Sequence, residues 1–171
     1  GHDPELYKDV HPYSREQLGI PNDAFVVGCV ANARPIKGIP YLIKASYHLG
    51  KYTNIHFVLI GKNMDAPNHL KWIRKSPLKN NFHILGFKKD ILNHLSACDV
   101  MALSSIKGEG LSKVTIEAMS TGLPVIATDV GGNAELVLHK QTGMLVDPKA
   151  PKQIAEAIIT LREDEALRKR M

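Results

Sequence analysis

The sequence predicts an α/β fold, a Rossmann-like doubly wound parallel sheet, on three observations. Short β-branched runs alternate with amphipathic helical stretches along most of the chain. The 171 residues fit one domain at roughly 150 residues each and leave no room for two of ordinary size. Hydrophobic residues at 44% and charged residues at 23% supply a core and exclude a disordered or fibrous chain.

Residues 1–22, with Pro4, Pro12 and Pro21 among polar side chains, read as a lead-in or linker, and the domain proper as 23–171. The apolar run Phe25–Val30 predicts the first strand and Pro40–Leu49 the first helix. Ile55–Ile60 follows as a strand, then helical spacing over His69–Lys75. Phe82–Leu85 and Val100–Leu103 are the next two strands, separated by a helix over Ile91–Ala97. A helix over Leu111–Ser120 leads to the strand Val125–Thr128. A weaker run at Met144–Val146 precedes the helix Gln153–Leu161, in which Ile154, Ala157, Ile158 and Leu161 share one face. Such alternation joins parallel strands by right-handed crossovers. Ligands of these sheets bind outside the carboxyl ends of the strands, so the loops that follow each strand carry the candidate chemistry.

The longest stretch free of charge and strong polarity, Ala24–Ala31, is far short of the ~18–20 apolar residues a bilayer span needs. No leader-like segment opens the chain, and the expected location is cytoplasmic, with the inner face of the membrane as the alternative. Cys29 and Cys98, each in an apolar run, predict reduced core thiols rather than a disulfide. The net charge of +5 is concentrated: Lys71, Arg74, Lys75, Lys79, Lys88 and Lys89 lie between Ala66 and Lys89 with no acid, so that segment carries +6 and the remainder −1. Trp72 and Ile73 inside it raise nucleic acid or an anionic membrane as partners, against the plainer reading of a solvated helix face. No nucleic-acid motif accompanies them, so nucleic acid is not expected, while peripheral membrane contact stays open.

The loop after the fourth strand, Ser104-Ser-Ile-Lys-Gly-Glu-Gly-Leu-Ser-Lys113, opens a helix whose free amides form an anion site. Gly108 and Gly110 followed by Lys113, with Asp129 further on, resemble a dinucleotide fingerprint that lacks its third glycine and its tight turn. Glu109 and Glu117 stand roughly 9–12 Å apart along a helix axis, beyond the roughly 5–5.5 Å of a retaining glycosidase pair. That spacing suits two parts of one long ligand; the alternative makes Glu109 a dipole partner of the helix start and Glu117 an exposed helix residue. After the first strand, Arg34 and Lys37 are placed to neutralise phosphate or, alternatively, to be solvated loop cations. Gly131-Gly132 closes a third loop on the same edge, and the acids Glu163-Asp164-Glu165 fall in a charged terminal helix, solvated. No two histidines lie within five residues of each other, and there is no GxSxG elbow, P-loop or Asp-x-Asp triplet, so neither a metal nor another cofactor is expected.

Together these segments resemble family-4 retaining glycosyltransferases: Glu109 to Met119 with its E-x7-E element, Gly122 to Gly132, Thr142 to Pro148, and also Lys37-Gly38, Val58 to Gly61, Leu85-Gly86-Phe87 and Asp99-Val100. The resemblance covers about Asp23 to Met171 and implies the GT-B fold, two Rossmann-like domains facing each other across a cleft, with this chain similar to the C-terminal, donor-binding half. It implies an interdomain linker at the start of the chain, an N-terminal acceptor domain outside it, and almost no transfer by the chain alone. By position it implies that Glu109 contacts donor-sugar hydroxyls, Glu117 holds the ribose, and amides from Gly110, Leu111, Ser112 and Lys113 touch sugar and phosphates. Lys37 would pair with the diphosphate, and Leu85, Gly86 and Phe87 would border the base. Asn32 stands where the family's phosphate-binding arginine aligns, and Arg34 follows two positions later. The implied activity is transfer of a sugar from a nucleoside-diphosphate sugar, with retention, to a growing glycan or lipid-linked saccharide. A GT-B-fold sugar-nucleotide epimerase, a non-catalytic nucleotide-sugar-binding module and a dinucleotide-dependent oxidoreductase domain are the alternatives.

Overall fold

The structure, a computed structural model, describes residues 13–108, 112–137 and 143–171. Six strands, β1 (Phe25–Val30), β2 (Ile55–Ile60), β3 (Phe82–Gly86), β4 (Val100–Leu103), β5 (Val125–Thr128) and β6 (Gly143–Val146), form one parallel sheet in the order β3-β2-β1-β4-β5-β6. The chain winds outward from β1 to β3, returns to the centre, and winds outward the other way from β4. This is the doubly wound arrangement expected, and its reversal leaves a crevice at the carboxyl ends of β1 and β4.

The helices are α1 (Ile39–Ala45), α2 (Pro67–Arg74), α3 (Ile91–Leu95), α4 (Lys113–Ser120), α5 (Asn133–Leu136), α6 (Pro151–Glu163) and α7 (Glu165–Arg170). Alternate strand residues face opposite layers. Phe25, Val27, Phe57 and Leu59 pack with Leu42 of α1, Ile73 of α2, Ile158 of α6 and Leu167 of α7. Val26, Val58, Met101 and Ala127 pack with Leu95 of α3 and Ala118 of α4. Burial on both faces is why β1 and β2 read as continuous apolar runs instead of alternating ones.

Several boundaries shift for local reasons. The first helix ends at Ala45 and tightens into a 3-10 turn, Ser46–His48, where the Ser46 hydroxyl donates to the Ile43 carbonyl at 2.5 Å. α4 starts at Lys113 because Ser112 caps it. The acids Glu163-Asp164-Glu165 do not share one helix: Asp164 stands between α6 and α7 and accepts from the Leu167 amide at 2.9 Å, a cap that separates the two. Glu163 pairs with Arg162, and Glu165 with Lys169.

The lead-in expected over 1–22 is, from Tyr13 onward, packed onto the domain. Arg15 reaches Asp99 at 2.8 Å and the Ala97 carbonyl at 3.2 Å, and Ile20, 3% exposed, joins the second core layer. Residues 1–12 lie outside the described residues. Cys29 and Cys98 are free buried thiols in opposite layers, and burial pushes both up to about 12. Among the described residues no helix is long and apolar enough to cross a membrane.

Candidate functional site

Four loops meet at the crevice, those after β1, β2, β4 and β5. The loop after β1 lies against the loop after β2: the Ala33 amide donates to the Lys62 carbonyl at 2.8 Å, and the Lys62 amide to Asn32 Oδ1 at 3.2 Å. Gly61, at φ +137°, allows this approach, since a Cβ there would collide with the Ala31 carbonyl oxygen. The 3-10 turn Pro35–Lys37 is fastened to the loop after β4: the Ser104 hydroxyl donates to the Lys37 carbonyl at 3.1 Å and the Ile106 amide to the Ile36 carbonyl at 2.9 Å. Gly38, at φ +62°, makes room for the Ser104 carbonyl. The loop after β5 joins through the Thr128 hydroxyl, which donates to the Ser105 carbonyl at 2.7 Å, and through buried Asn133, whose amide donates to the Thr128 carbonyl at 2.8 Å.

These loops enclose a cleft of about 410 Å³, within the range of sites for small molecules and cofactors. Arg34 and Lys37 line it from the β1 side, Lys88 from the β3 side and Lys107 from the β4 side. Its described lining contains no carboxylate. α4 opens onto the same space, with Ser112 at its cap: Ser112 Oγ accepts from the Thr115 amide at 3.2 Å and lies 2.9 Å from Thr115 Oγ1. The remaining amides of that first turn, at the positive end of the helix, make the cleft an anion-accepting space with apolar walls from Ile60, Ile91 and Val114.

The structure thus gathers Arg34, Lys37, Ser112 and Phe87 around one cleft. Phe87 is 56% exposed, with Lys62 Nζ 5.5 Å from its ring centroid. Leu85 and Gly86 end β3 just beside it, and the Gly86 carbonyl accepts from the Gly61 amide at 2.8 Å. Glu117 and Lys113 pair with each other on α4 at 3.8 Å and stand outside the lining; Glu117 is half-buried, Lys113 exposed. Glu109, Gly110 and Leu111 lie outside the described residues. Asn32 is on the cleft wall with its side-chain oxygen engaged by the Lys62 amide.

Lys88, one of the six cations of the basic run between Ala66 and Lys89, also lines the cleft. Its position two residues beyond the end of β3 was the signal. Ser104 and Asn133 carried no such signal, because their role is to hold loop carbonyls in place.

Residues 11–171 match the family model of glycosyl transferases group 1. Among curated proteins, the chain is 31% identical over 155 residues to UDP-Gal:alpha-D-GlcNAc-diphosphoundecaprenol alpha-1,3-galactosyltransferase of Escherichia coli, covering 88% of this chain and 40% of that protein. It is also 31% identical to D-inositol 3-phosphate glycosyltransferase of Corynebacterium glutamicum, covering 100% of this chain and 44% of that protein. The chain therefore spans about two-fifths of these relatives. Among solved structures, Anabaena HepE in complex with UDP and glucose superposes with TM-score 0.85 at 32% identity, over 99% of this chain and 48% of HepE. The C-terminal domain of a glycosyl transferase group 1 family protein from Francisella tularensis superposes with TM-score 0.82 at 27% identity, over 99% of this chain and 92% of that domain.

Proposed function

The chain belongs to the glycosyl transferases group 1 family, and from that premise we propose that it is the donor-binding half of a retaining GT-B glycosyltransferase acting on a nucleoside-diphosphate sugar. The observation that carries this is the convergence of Arg34, Lys37, Lys88 and Lys107 on a cleft at the β1/β4 reversal that α4 faces with its positive end. Cations from three different loops suit a ligand with two linked phosphates better than a single carboxylate does. The UDP-bound neighbour of the same fold agrees with that charge pattern.

In this reading the diphosphate lies along the strand ends. Lys37 pairs with it as a point charge, and Arg34 offers a planar fork from the position nearest to Asn32. As the bond from the anomeric carbon to the phosphate oxygen breaks, negative charge grows on the departing nucleoside diphosphate. Lys37, Arg34 and the first-turn amides of α4 are already aimed at that charge, so its stabilisation needs no reorganisation and no metal or other cofactor. Phe87, with Leu85 and Gly86, borders the base; Glu117, which stands beyond the cleft lining, exchanges its pairing with Lys113 for the ribose hydroxyls, and Glu109, with amides of Gly110 to Lys113, takes the sugar. Retention follows the family pattern. The acceptor, a growing glycan or lipid-linked saccharide, would be held by a further N-terminal domain, so the chain alone binds donor with almost no transfer. The setting is cytoplasmic or at the inner face of the membrane.

A thermal-shift panel of UDP-, GDP- and ADP-sugars tests this. One class should raise the melting temperature in a concentration-dependent way by mass action. If none does, while NAD alone stabilises the chain, the oxidoreductase alternative replaces the proposal.

A further inference from the structure

Outside the cleft stands a cationic face centred on Trp72. Between Ala24 and Lys89 the sequence holds eleven Lys and Arg and a single acid, Asp65. Some of these serve the cleft. Another group gathers where α1 and α2 pack side by side: Lys44 Nζ lies 4.0 Å from the Trp72 ring centroid, Lys75 Nζ 5.3 Å and Lys71 Nζ 5.8 Å. Lys44 is also 6.0 Å from the Tyr41 ring, and Arg74 is exposed on the same last turn of α2. The arrangement is held in place, because the Tyr47 hydroxyl donates to the Trp72 carbonyl at 2.6 Å and Ile73 is buried beneath.

Cation–π contact accounts for one ammonium over one ring face. It does not account for three within 6 Å of one ring, which repel each other. Two exposed lysines elsewhere show the alternative, a lysine relieved by an acid one turn away: Lys113 has Glu117, and Lys169 has Glu165. Among the described residues no salt bridge involves Lys44, Lys71, Arg74 or Lys75. The face also forms no part of the lining of the donor cleft. A half-buried indole ringed by ammonium groups matches the layered chemistry of a lipid surface, with phosphates outermost and an apolar boundary just beneath, where Trp and Tyr rings settle.

We infer that the α1/α2 face docks the protein on an anionic lipid surface, with Lys44, Lys71, Arg74 and Lys75 on the headgroup phosphates and Trp72 at the interface. The inference does not depend on the identity of the donor. It separates from nucleic-acid binding because a duplex offers phosphates without an apolar layer for the indole.

Trp72 is the single tryptophan of the chain, so its emission reports on this face alone. The chain is mixed with phosphatidylcholine vesicles, with and without an equal part of phosphatidylglycerol, and both co-flotation and tryptophan emission are recorded. Co-flotation with the phosphatidylglycerol vesicles only, an emission shift to the blue, and reversal by salt are expected. The K44Q/K71Q/K75Q variant should lose roughly a hundredfold in partitioning, at about fivefold per lysine, while its circular dichroism and thermal shift with the donor stay those of the parent. The inference is overturned by an absence of vesicle binding, by binding with unmoved emission, or by binding that the triple variant keeps. An equal emission shift with duplex DNA would overturn it in favour of a nucleic-acid surface.

Discussion

At the amino edge of the sheet polar side chains tie strand starts to neighbouring segments; at the carboxyl edge they fasten loop to loop around a cleft lined by cations. Asp99, which precedes β4, accepts from the Val26 amide and from Arg15, both at 2.8 Å, and so joins the starts of β1 and β4 to the lead-in segment. On the same edge Arg162 donates to Asn54 at 2.9 Å, and Asn81 to the Thr53 and Ile55 carbonyls, each at 2.9 Å. His56 Nδ1 and His83 Nε2 stand 2.9 Å apart, and burial holds both rings below the usual imidazole range. At the carboxyl edge the loops are fastened by backbone contacts that Gly61 and Gly38 permit and by the side chains of Asn32, Ser104, Thr128 and Asn133, and Arg34, Lys37, Lys88 and Lys107 line the cleft these loops frame. The difference teaches a division of labour: both edges satisfy their neutral polar side chains internally, and the carboxyl edge adds cations from three loops around a cleft.

The largest expected break in that comparison comes from Asp99→Ala. It strands the Val26 amide and takes the carboxylate partner from Arg15, which keeps its carbonyl contacts, and should cost about 2–3 kcal/mol in urea unfolding while donor affinity stays unchanged. A comparable loss of affinity would show that the two edges are coupled. Gly61→Ala acts on the other edge and should move both quantities. Forcing a side chain at φ +137° against the Ala31 carbonyl costs about 1–3 kcal/mol and pulls the loops after β1 and β2 apart, so calorimetry should show weaker donor binding as well as a lower melting temperature.

The strands were the most legible part of the fold. β1, β2, β4 and β5 coincide with their apolar runs, because burial on both faces leaves them almost wholly apolar, with buried His56 and Thr128 the exceptions. α5, of four residues, is too short to show a helical period, and the division between α6 and α7 depends on Asp164 turning back to cap, which no periodicity reports. Arg34 and Lys37 were legible as candidates because they directly follow a strand. Lys88 was hidden by its own neighbours: in a run of like charges only the topology distinguishes the lysine that enters the crevice from those on helix α2.

The central claim, that the cations at the carboxyl edge hold a diphosphate, is tested most directly by titrating the stabilising nucleoside-diphosphate sugar into the parent chain and Lys37→Ala by calorimetry. Loss of one charge-assisted phosphate contact predicts a fall in affinity of about tenfold to a hundredfold. Equal affinity for the two proteins would contradict the account.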